Sequence, residues 1–184
     1  ERDWEWARRI FEWQRKTLVD PETGLVWDGI NRLGDGRIDK DWRFTYGQGV
    51  YIGAAVEMYR VTRDPGYLEE AWKTADYVLR HMTSPATGML PSEGDGDGAL
   101  FKGILVRYLL ELIKEDPARA DGLVQMLVTN GESLWEHGKH PEAALFSNSW
   151  AQTPDPVVQL STQLSGMMLL EVLAVLEQMD TIDF

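Results

Sequence analysis

Apolar residues recur at helical spacing along almost the whole chain, and this periodicity is the feature that most constrains the fold. Residues 46–62 and 160–178 are apolar on nearly every side, which is typical of helices surrounded by other helices. The remaining stretches are apolar on one face and predict amphipathic helices. We expect about six helices, over residues 3–18, 46–62, 66–82, 98–114, a segment through 123–134, and 160–178. Strand-like alternation never persists, so the predicted fold class is all-α.

The connections between these helices are of two kinds. Asp64-Pro65 and Asp116-Pro117 break the chain sharply, and each proline suits the first turn of the next helix. The other connections, residues 19–45, 83–97 and 138–158, are long, and long connections in compact domains are commonly functional. Alternate connections of an up-and-down array lie at one end, so the three long loops share a face. We therefore expect residues 1–184 to form one all-α domain of the (α/α)6 toroid type, with six helices making half of the ring.

Charge and hydropathy exclude several classes of partner. The chain has 18 Lys and Arg against 30 Asp and Glu, a net charge of −12, whereas nucleic acid and anionic membranes select basic surfaces. No apolar run approaches the roughly 18 residues that a membrane span needs, so no membrane partner is expected. No signal peptide is visible, and the chain begins without Met inside a helical pattern, so we expect its native start to lie upstream.

Metal sites and cofactors are not expected either. The chain lacks cysteine, which excludes disulfides, thiolate metal sites and a cysteine nucleophile. The acidic, glycine-rich segment from Glu93 fails as a calcium loop, because its twelfth position is Ile104 rather than glutamate. The three histidines lack the spacing of a zinc site.

The three long loops are rich in aromatic, amide and carboxylate side chains, the groups that bind sugars. Aromatic faces stack on the C–H faces of sugars, whereas amides and carboxylates bind hydroxyl groups. The most prominent of these residues are Trp27, Asp28, Asn31, Trp42, Glu93, Asp95, Asp97, Asn148, Trp150, Asp155 and Gln159. Two alternatives stay open: the tryptophans fill loop packing, and the carboxylates of residues 93–97 favour the start of the following helix.

Four segments together resemble glycoside hydrolase family 76, in the order and spacing of that family. They read Leu-Val-Trp-Asp-Gly-Ile-Asn (residues 25–31), Phe-Thr-Tyr-Gly-Gln-Gly (44–49), Asp-Gly-Asp-Gly-Ala-Leu-Phe-Lys-Gly-Ile (95–104) and Leu-Ser-Thr-Gln-Leu-Ser-Gly (160–166). Gly47 departs from the pattern, which usually has asparagine there. The resemblance implies an (α/α)6 toroid that cleaves α-1,6-mannan or related cell-wall α-mannosides with retention.

The resemblance also implies site residues. The family uses two adjacent aspartates, and retaining hydrolysis needs two carboxyl groups about 5 Å apart. The chain has no Asp-Asp dipeptide, so its catalytic residues are unknown and the pair is expected upstream. The residues expected to line the substrate cleft are Tyr46, Gln48, Asp97 and Lys102, with Trp27 or Trp42 as a stacking platform.

Three interpretations of function follow. In the first, the chain is the C-terminal half of an endo-α-1,6-mannanase-like enzyme, and it is inactive without the missing N-terminal half. In the second, it is a non-catalytic sugar-binding module that self-associates to complete a ring. The third, a toroid-shaped sugar epimerase, needs paired histidines on inner helices, whereas His81, His137 and His140 fall on outer or loop positions. The family is mostly exported, but the location of this protein stays open.

Overall fold

Six α-helices follow one another in the computed structural model, which describes residues 2–182. They are α1 (Arg2–Thr17), α2 (Thr45–Thr62), α3 (Pro65–Tyr77), α4 (Gly98–Glu115), α5 (Asp121–Glu136) and α6 (Leu160–Gln178). A π-helical segment, Val78–Met82, continues α3, and a 3-10 turn, Pro117–Arg119, precedes α5. Among the described residues, extended pairing is limited to isolated bridges such as Val19 with Val26. The all-α class and the number of helices are confirmed.

Helices α2, α4 and α6 form a central row, with α4 packed against both of the others. Helix α3 covers α2, α5 packs on α6 and α4, and α1 contacts α2. Several apolar side chains of the central helices are almost completely buried: Tyr51, Ile52, Leu105, Leu109, Leu169 and Leu173. The two stretches that are apolar all round, α2 and α6, both belong to this row, and each packs on at least two other helices.

Two glycines bring the backbones of the central helices into direct contact. A Cβ atom on Gly49 of α2 would lie 2.7 Å from the Leu105 Cα of α4. A Cβ on Gly103 of α4 would lie 2.8 Å from the Ser165 Cα of α6. Both positions lie near the N-terminal ends of their helices, so the row is tightest next to the long loops.

The opposite end of the row, residues 57–66 and 111–121, is the short-link end. Asp64 caps α3, because its Oδ1 accepts a hydrogen bond of 2.9 Å from the Gly66 N–H, and Pro65 occupies the first turn. Asp116, in the second short link, accepts a hydrogen bond of 2.8 Å from the Trp72 indole. Both predicted Asp-Pro breaks are confirmed.

An ion-pair network also joins α2 to α4 at the short-link end. The guanidinium of Arg60 contacts Glu57 at 2.6 Å, Glu111 at 2.8 Å and Glu115 at 2.6 Å. All of these side chains are partly exposed. The network therefore ties the two helices together where the connections are too short to form a site.

The outermost helices expose large apolar side chains. On α1, Trp6 and Trp13 are each about half exposed, and on α6 Met167 is about half exposed. Helix α6 is also long and apolar enough to cross a membrane by length and composition, a test that core helices of soluble proteins pass as well. The expectation that no stretch reaches this length and apolarity was therefore wrong for α6, although its buried face packs on α4 and α5.

Candidate functional site

The three long loops meet at the N-terminal ends of the central helices, which we call the long-loop end (residues 19–48, 83–103 and 137–166). The N–H of Gly96, in the second loop, donates a hydrogen bond of 2.8 Å to Gln159 at the start of α6. The Asn148 amide of the third loop donates to the carbonyl of Gly94 in the second. These contacts show that the second and third loops share one face.

Glu93 connects the second loop to the start of α2. Its Oε1 accepts a hydrogen bond of 2.7 Å from the Thr45 N–H, and its other oxygen accepts one from the Thr45 hydroxyl. Burial raises the pKa of Glu93, and the Thr45 hydrogen bonds and the charge of Lys102 oppose that rise. Because both carboxylate oxygens are engaged, Glu93 positions the two loops.

An aromatic wall, made of Trp42, Phe44, Tyr46 and Phe101, is the most distinctive feature of the face. The Tyr46 and Phe101 rings lie 4.5 Å apart between centroids, and Phe44 packs edge-on against Phe101 at 5.3 Å. Trp42 packs edge-on against Phe44 at 5.7 Å. All four rings are at least partly exposed, so the wall offers apolar faces to a ligand.

Tyr46 is fixed in the wall by a carboxylate. Its hydroxyl donates a hydrogen bond to Asp28 Oδ1 in the first loop. Burial, the hydrogen bond and the negative charge of Asp28 together raise the pKa of Tyr46 to about 12. The phenol therefore stays neutral at physiological pH, and both groups lie part-buried at the edge of the face.

The two predicted stacking platforms, Trp27 and Trp42, each have a cation over the ring. The Lys40 ammonium lies 4.8 Å from the Trp27 ring centroid, and the Arg32 guanidinium lies 4.3 Å from that of Trp42. Arg32 is itself held by Asp39, at 3.1 Å. One face of each ring is thus occupied within the first loop, which leaves at most the opposite face for a sugar.

Gln48 does not reach the cleft that the sequence analysis expected it to line. Its side chain is completely buried. The amide accepts a hydrogen bond of 2.8 Å from the Val26 N–H and donates to the carbonyls of Val26 and Phe44, at 2.8 and 3.0 Å. Gln48 therefore holds the first loop on α2 through backbone contacts and has no group left for a ligand.

Lys102 is also buried, with about 1% of its surface exposed, so it cannot contact a ligand in the cleft directly. Its ammonium lies 4.2 Å from the ring centroid of the buried Trp150 and has no hydrogen-bond partner among the described residues. Burial lowers the pKa of Lys102 to about 7, and the charge of Glu93 opposes the shift. Lys102 lies beneath the loops rather than on them.

Asp97 is placed where a ligand can reach it. It directly precedes α4, it is exposed, and its side chain forms no capping hydrogen bond. Asp95, in the same glycine-rich turn, is exposed as well. Within residues 2–182, no group of three or more acidic or histidine side chains has the arrangement of a metal site.

Sequence reasoning missed the roles of Phe44 and Phe101. The sequence places both residues within the family motifs and predicts no contact with a ligand for them, but they form the middle of the aromatic wall. The available signal was position: Phe44 precedes α2 by one residue, and Phe101 lies in the first turn of α4. Aromatic residues at the entry of two neighbouring central helices face the same loops.

Comparisons with known proteins agree with one another. A model of glycosyl hydrolase family 76 matches residues 1–182. The GH76A α-1,6-mannanase from Salegentibacter sp. HEL1_6 is 43% identical, with a TM-score of 0.88, over 95% of this chain and 53% of that protein. The Lin0763 protein from Listeria innocua is 42% identical, with a TM-score of 0.88, over 98% of this chain and 51% of that protein. Among curated proteins no significant match is found.

Some of the related structures contain a sugar ligand. An inactive variant of the Salegentibacter enzyme, with two consecutive aspartates replaced, is in complex with α-1,6-mannotriose; it is 43% identical to this chain, with a TM-score of 0.88, over 95% of this chain and 53% of that protein. This chain spans about half the length of the solved relatives that it matches. The fold is therefore of the all-α toroid type, and the chain matches about half of the relatives' length.

Proposed function

Because the chain belongs to glycosyl hydrolase family 76, we propose that it is the C-terminal half of an (α/α)6 glycoside hydrolase domain that cleaves α-1,6-mannan or a related α-mannoside with retention. The observation that carries the proposal is the aromatic wall beside exposed carboxylates on the shared loop face. Sugars present apolar C–H faces and many hydroxyl groups, and this face offers partners for both. The mannotriose complex of a 43% identical relative supports the choice of sugar.

In this proposal the wall binds the sugar rings and the free polar groups bind their hydroxyls. Phe101 and Tyr46 provide the stacking surface, and Asp97 accepts hydrogen bonds from hydroxyl groups. Asp28, held by the Tyr46 hydroxyl, is a second acceptor at the edge of the wall. Gln48, Glu93 and Lys102 support this surface from below.

The catalytic carboxylates are supplied from outside these 184 residues in the proposed enzyme. Two consecutive aspartates were replaced in the inactive relative, and this chain has no such pair. Retention needs two carboxyl groups about 5 Å apart. Glu93, a part-buried carboxylate of the face, has both oxygens bound by Thr45. No step of the chemistry is therefore assigned to this chain.

Two measurements test the proposal. We expect the purified 184-residue chain to release no reducing sugar from linear α-1,6-mannan; release would place a working carboxylate pair within it. We also expect α-1,6-mannotetraose to shift the amide NMR signals of Tyr46, Phe101 and Asp97. Replacing Phe101 by alanine should weaken this binding, whereas replacing the exposed Trp6, near the start of α1 and outside the long-loop end, should not. Absence of any shift at the wall would contradict the proposal.

A second candidate function is a sugar-binding module that associates with a second copy of itself. The half-exposed Trp6, Trp13 and Met167 on the outermost helices favour it, because exposed apolar surface drives association. Sedimentation equilibrium separates the candidates: a mass near twice 20.9 kDa supports self-association, and a monomer contradicts it.

A further inference from the structure

A polar cavity of about 250 Å³ lies between the second and third loops, next to the start of α6. Its lining includes hydroxyl, amide and carboxylate side chains, among them Asp95, Asn148, Ser149, Thr153, Asp155 and Thr162. We propose that this cavity is a second sugar-binding subsite, which takes one sugar unit that carries no acidic substituent. The inference rests on the proposed function, because it extends the same loop face.

The cavity is separate from the aromatic wall. None of its lining residues belongs to the wall, which is formed by the first loop and the starts of α2 and α4. The cavity is instead formed by Ser92 and Asp95 of the second loop, by residues 146–159 of the third, and by Thr162 of α6. The long-loop end therefore has two contact regions side by side, one apolar and aromatic, the other polar.

The polar groups of the cavity suit sugar hydroxyls, each of which donates and accepts hydrogen bonds. Asn148 is fixed by its amide hydrogen bond to the Gly94 carbonyl. Its Oδ1 is buried and has no partner among the described residues, so an acceptor is left for a ligand. Buried polar atoms are seldom left unpaired, and a bound hydroxyl would satisfy this one.

The cavity is also held in shape before any ligand arrives. The Gly96 N–H donates to Gln159 at one rim, and the Phe146 N–H donates to Gln163 Oε1 at 3.0 Å behind the third loop. These contacts join the second loop, the third loop and α6. A preformed site loses less conformational entropy on binding, which suits a weak, single-sugar ligand.

The charge of the lining selects against acidic sugars. Asp95 and Asp155 are its only charged residues, and neither forms an ion pair within residues 2–182. Two carboxylates about 6 Å from an anionic substituent weaken its binding by about tenfold even in water-like surroundings. The size of the cavity adds a limit, because pockets for drug-sized ligands range from about 300 to 1,000 Å³. A single neutral or amino sugar unit fits both restrictions.

Amide NMR titration of the full 184-residue chain tests the inference. We expect methyl α-mannoside to shift the signals of Ser149 and Thr162, and mannose 6-phosphate to bind about tenfold more weakly. The double variant Asp95→Asn, Asp155→Asn should bring the two affinities within about twofold. Asp121→Asn, which removes one carboxylate at the exposed start of α5, should leave the tenfold difference unchanged. Equal affinities in the wild-type chain, or unmoved cavity signals, would overturn the inference.

Titration with linear and branched oligosaccharides tests this inference separately from the proposed function. It also shows whether the bound sugar unit belongs to the main chain or to a branch. If linear α-1,6-mannotetraose shifts both wall and cavity signals, the cavity takes a distal unit of the main chain. If only a branched α-mannoside shifts the cavity signals, it takes the branch. If wall signals move and cavity signals stay unmoved with both ligands, the second subsite is wrong and the proposed function stands. If neither set moves, both proposals fail.

Discussion

Each end of the central helix row holds a cation, and the two cations have opposite surroundings. At the short-link end, the partly exposed Arg60 contacts three carboxylates. At the long-loop end, the buried Lys102 lies against Trp150 without a hydrogen-bond partner among the described residues. The same helices thus carry one cation that is fully paired and one that is not.

The difference extends to other polar groups. Within residues 2–182, the buried side-chain atoms that lack a partner all lie at the long-loop end: Lys102 Nζ, Asn148 Oδ1, Trp150 Nε1 and Ser165 Oγ. The short-link end satisfies its Asp64 cap, its Asp116 contact and its ion pairs within the chain. Unpaired buried groups are costly and are retained where a ligand or water completes them. The short-link end therefore stabilises the fold, and the long-loop end provides the site.

The largest expected effect concerns Gln48, a buried and fully paired side chain of the long-loop end. Replacing Gln48 by leucine leaves three backbone groups of Val26 and Phe44 without partners, and we expect a loss of about 3–5 kcal/mol in the free energy of unfolding. Urea denaturation measures the loss. Gln178→Leu, at the exposed end of α6, is the control. A loss below about 1 kcal/mol would mean that water replaces the amide.

The unpaired Lys102 predicts a dependence of stability on pH. Its pKa, about 7 in the folded chain against an ordinary 10.5, means that the unfolded chain binds more protons between these values, so stability rises with pH. We expect a gain of about 3 kcal/mol between pH 7 and pH 9.5, since each pKa unit corresponds to about 1.36 kcal/mol. Lys102→Met should abolish the gain and stabilise the chain at pH 7.

The control for that variant is Lys114→Met, at the opposite end of the same helix, where the ammonium contacts Glu111 at 3.0 Å. It should keep the rise with pH. Urea denaturation between pH 7 and pH 9.5 stays below the ordinary tyrosine pKa of 10.0, near which Tyr46 would ionise in the unfolded chain and change stability in the opposite direction. If the stability of the wild-type chain does not change over this interval, Lys102 has a partner in solution. The contrast between a paired Arg60 and an unpaired Lys102 would then be wrong.

At the short-link end, Arg60→Met should cost about 1–2 kcal/mol at pH 7, since partly exposed ion pairs contribute little singly and more as a network. Burial would raise the pKa of Glu111, but hydrogen bonds from Lys114 and Arg60 outweigh it and lower that pKa. A lowered carboxylate pKa stabilises the fold above its ordinary value of 4.5, and this contribution is lost as pH falls below it. The difference between wild type and variant should therefore shrink at pH 3.5.

The exposed Arg107 of α4 provides the control, because Arg107→Met removes the same charge from a neighbouring central helix without breaking the network. Its effect on the urea midpoint should be below about 0.5 kcal/mol. Equal losses for the two arginine variants would show that charge alone, rather than the network, stabilises this end.

The smallest effects come from two aspartates that precede helices at opposite ends. Asp64→Ala removes the cap of α3 and should cost about 1 kcal/mol. Asp97→Ala removes no capping hydrogen bond and should cost less than about 0.3 kcal/mol, while weakening mannotetraose binding in the NMR titration. A cost for Asp97→Ala equal to that of Asp64→Ala would make Asp97 a structural residue.

The fold was predictable from the sequence because its signals are local. The stretches that are apolar on all sides form α2 and α6, as predicted. A helix ends within one turn before each Asp-Pro pair. The side chains of the site were less predictable, since their partners are distant in the chain. Gln48 binds a backbone 22 residues earlier, and Thr45 binds Glu93 48 residues later. An amide that binds a sugar and one that binds backbone are identical in sequence.

The same limit explains the tryptophans. A ring covered by Lys40 or Arg32 has the same sequence signature as a ring open to solvent. Lys102 resembled a cleft residue by its place in a motif, yet helix geometry put it beneath Trp150. Residue type thus predicted which face bears the site, and packing decided which side chains remain free on it.

The contacts at Gly49 and Gly103 have a consequence for engineering. At these positions the backbones of neighbouring helices are in direct contact. The spacing of the central helices where the long loops join them is therefore set by backbone contacts, and a change in side-chain size nearby does not alter it. The exposed parts of the loops can therefore be exchanged on fixed attachment points, provided that both glycines and the buried loop residues, such as Val26 and Trp150, are kept. A library that randomises only the exposed loop positions should yield mostly folded variants with altered ligand preferences.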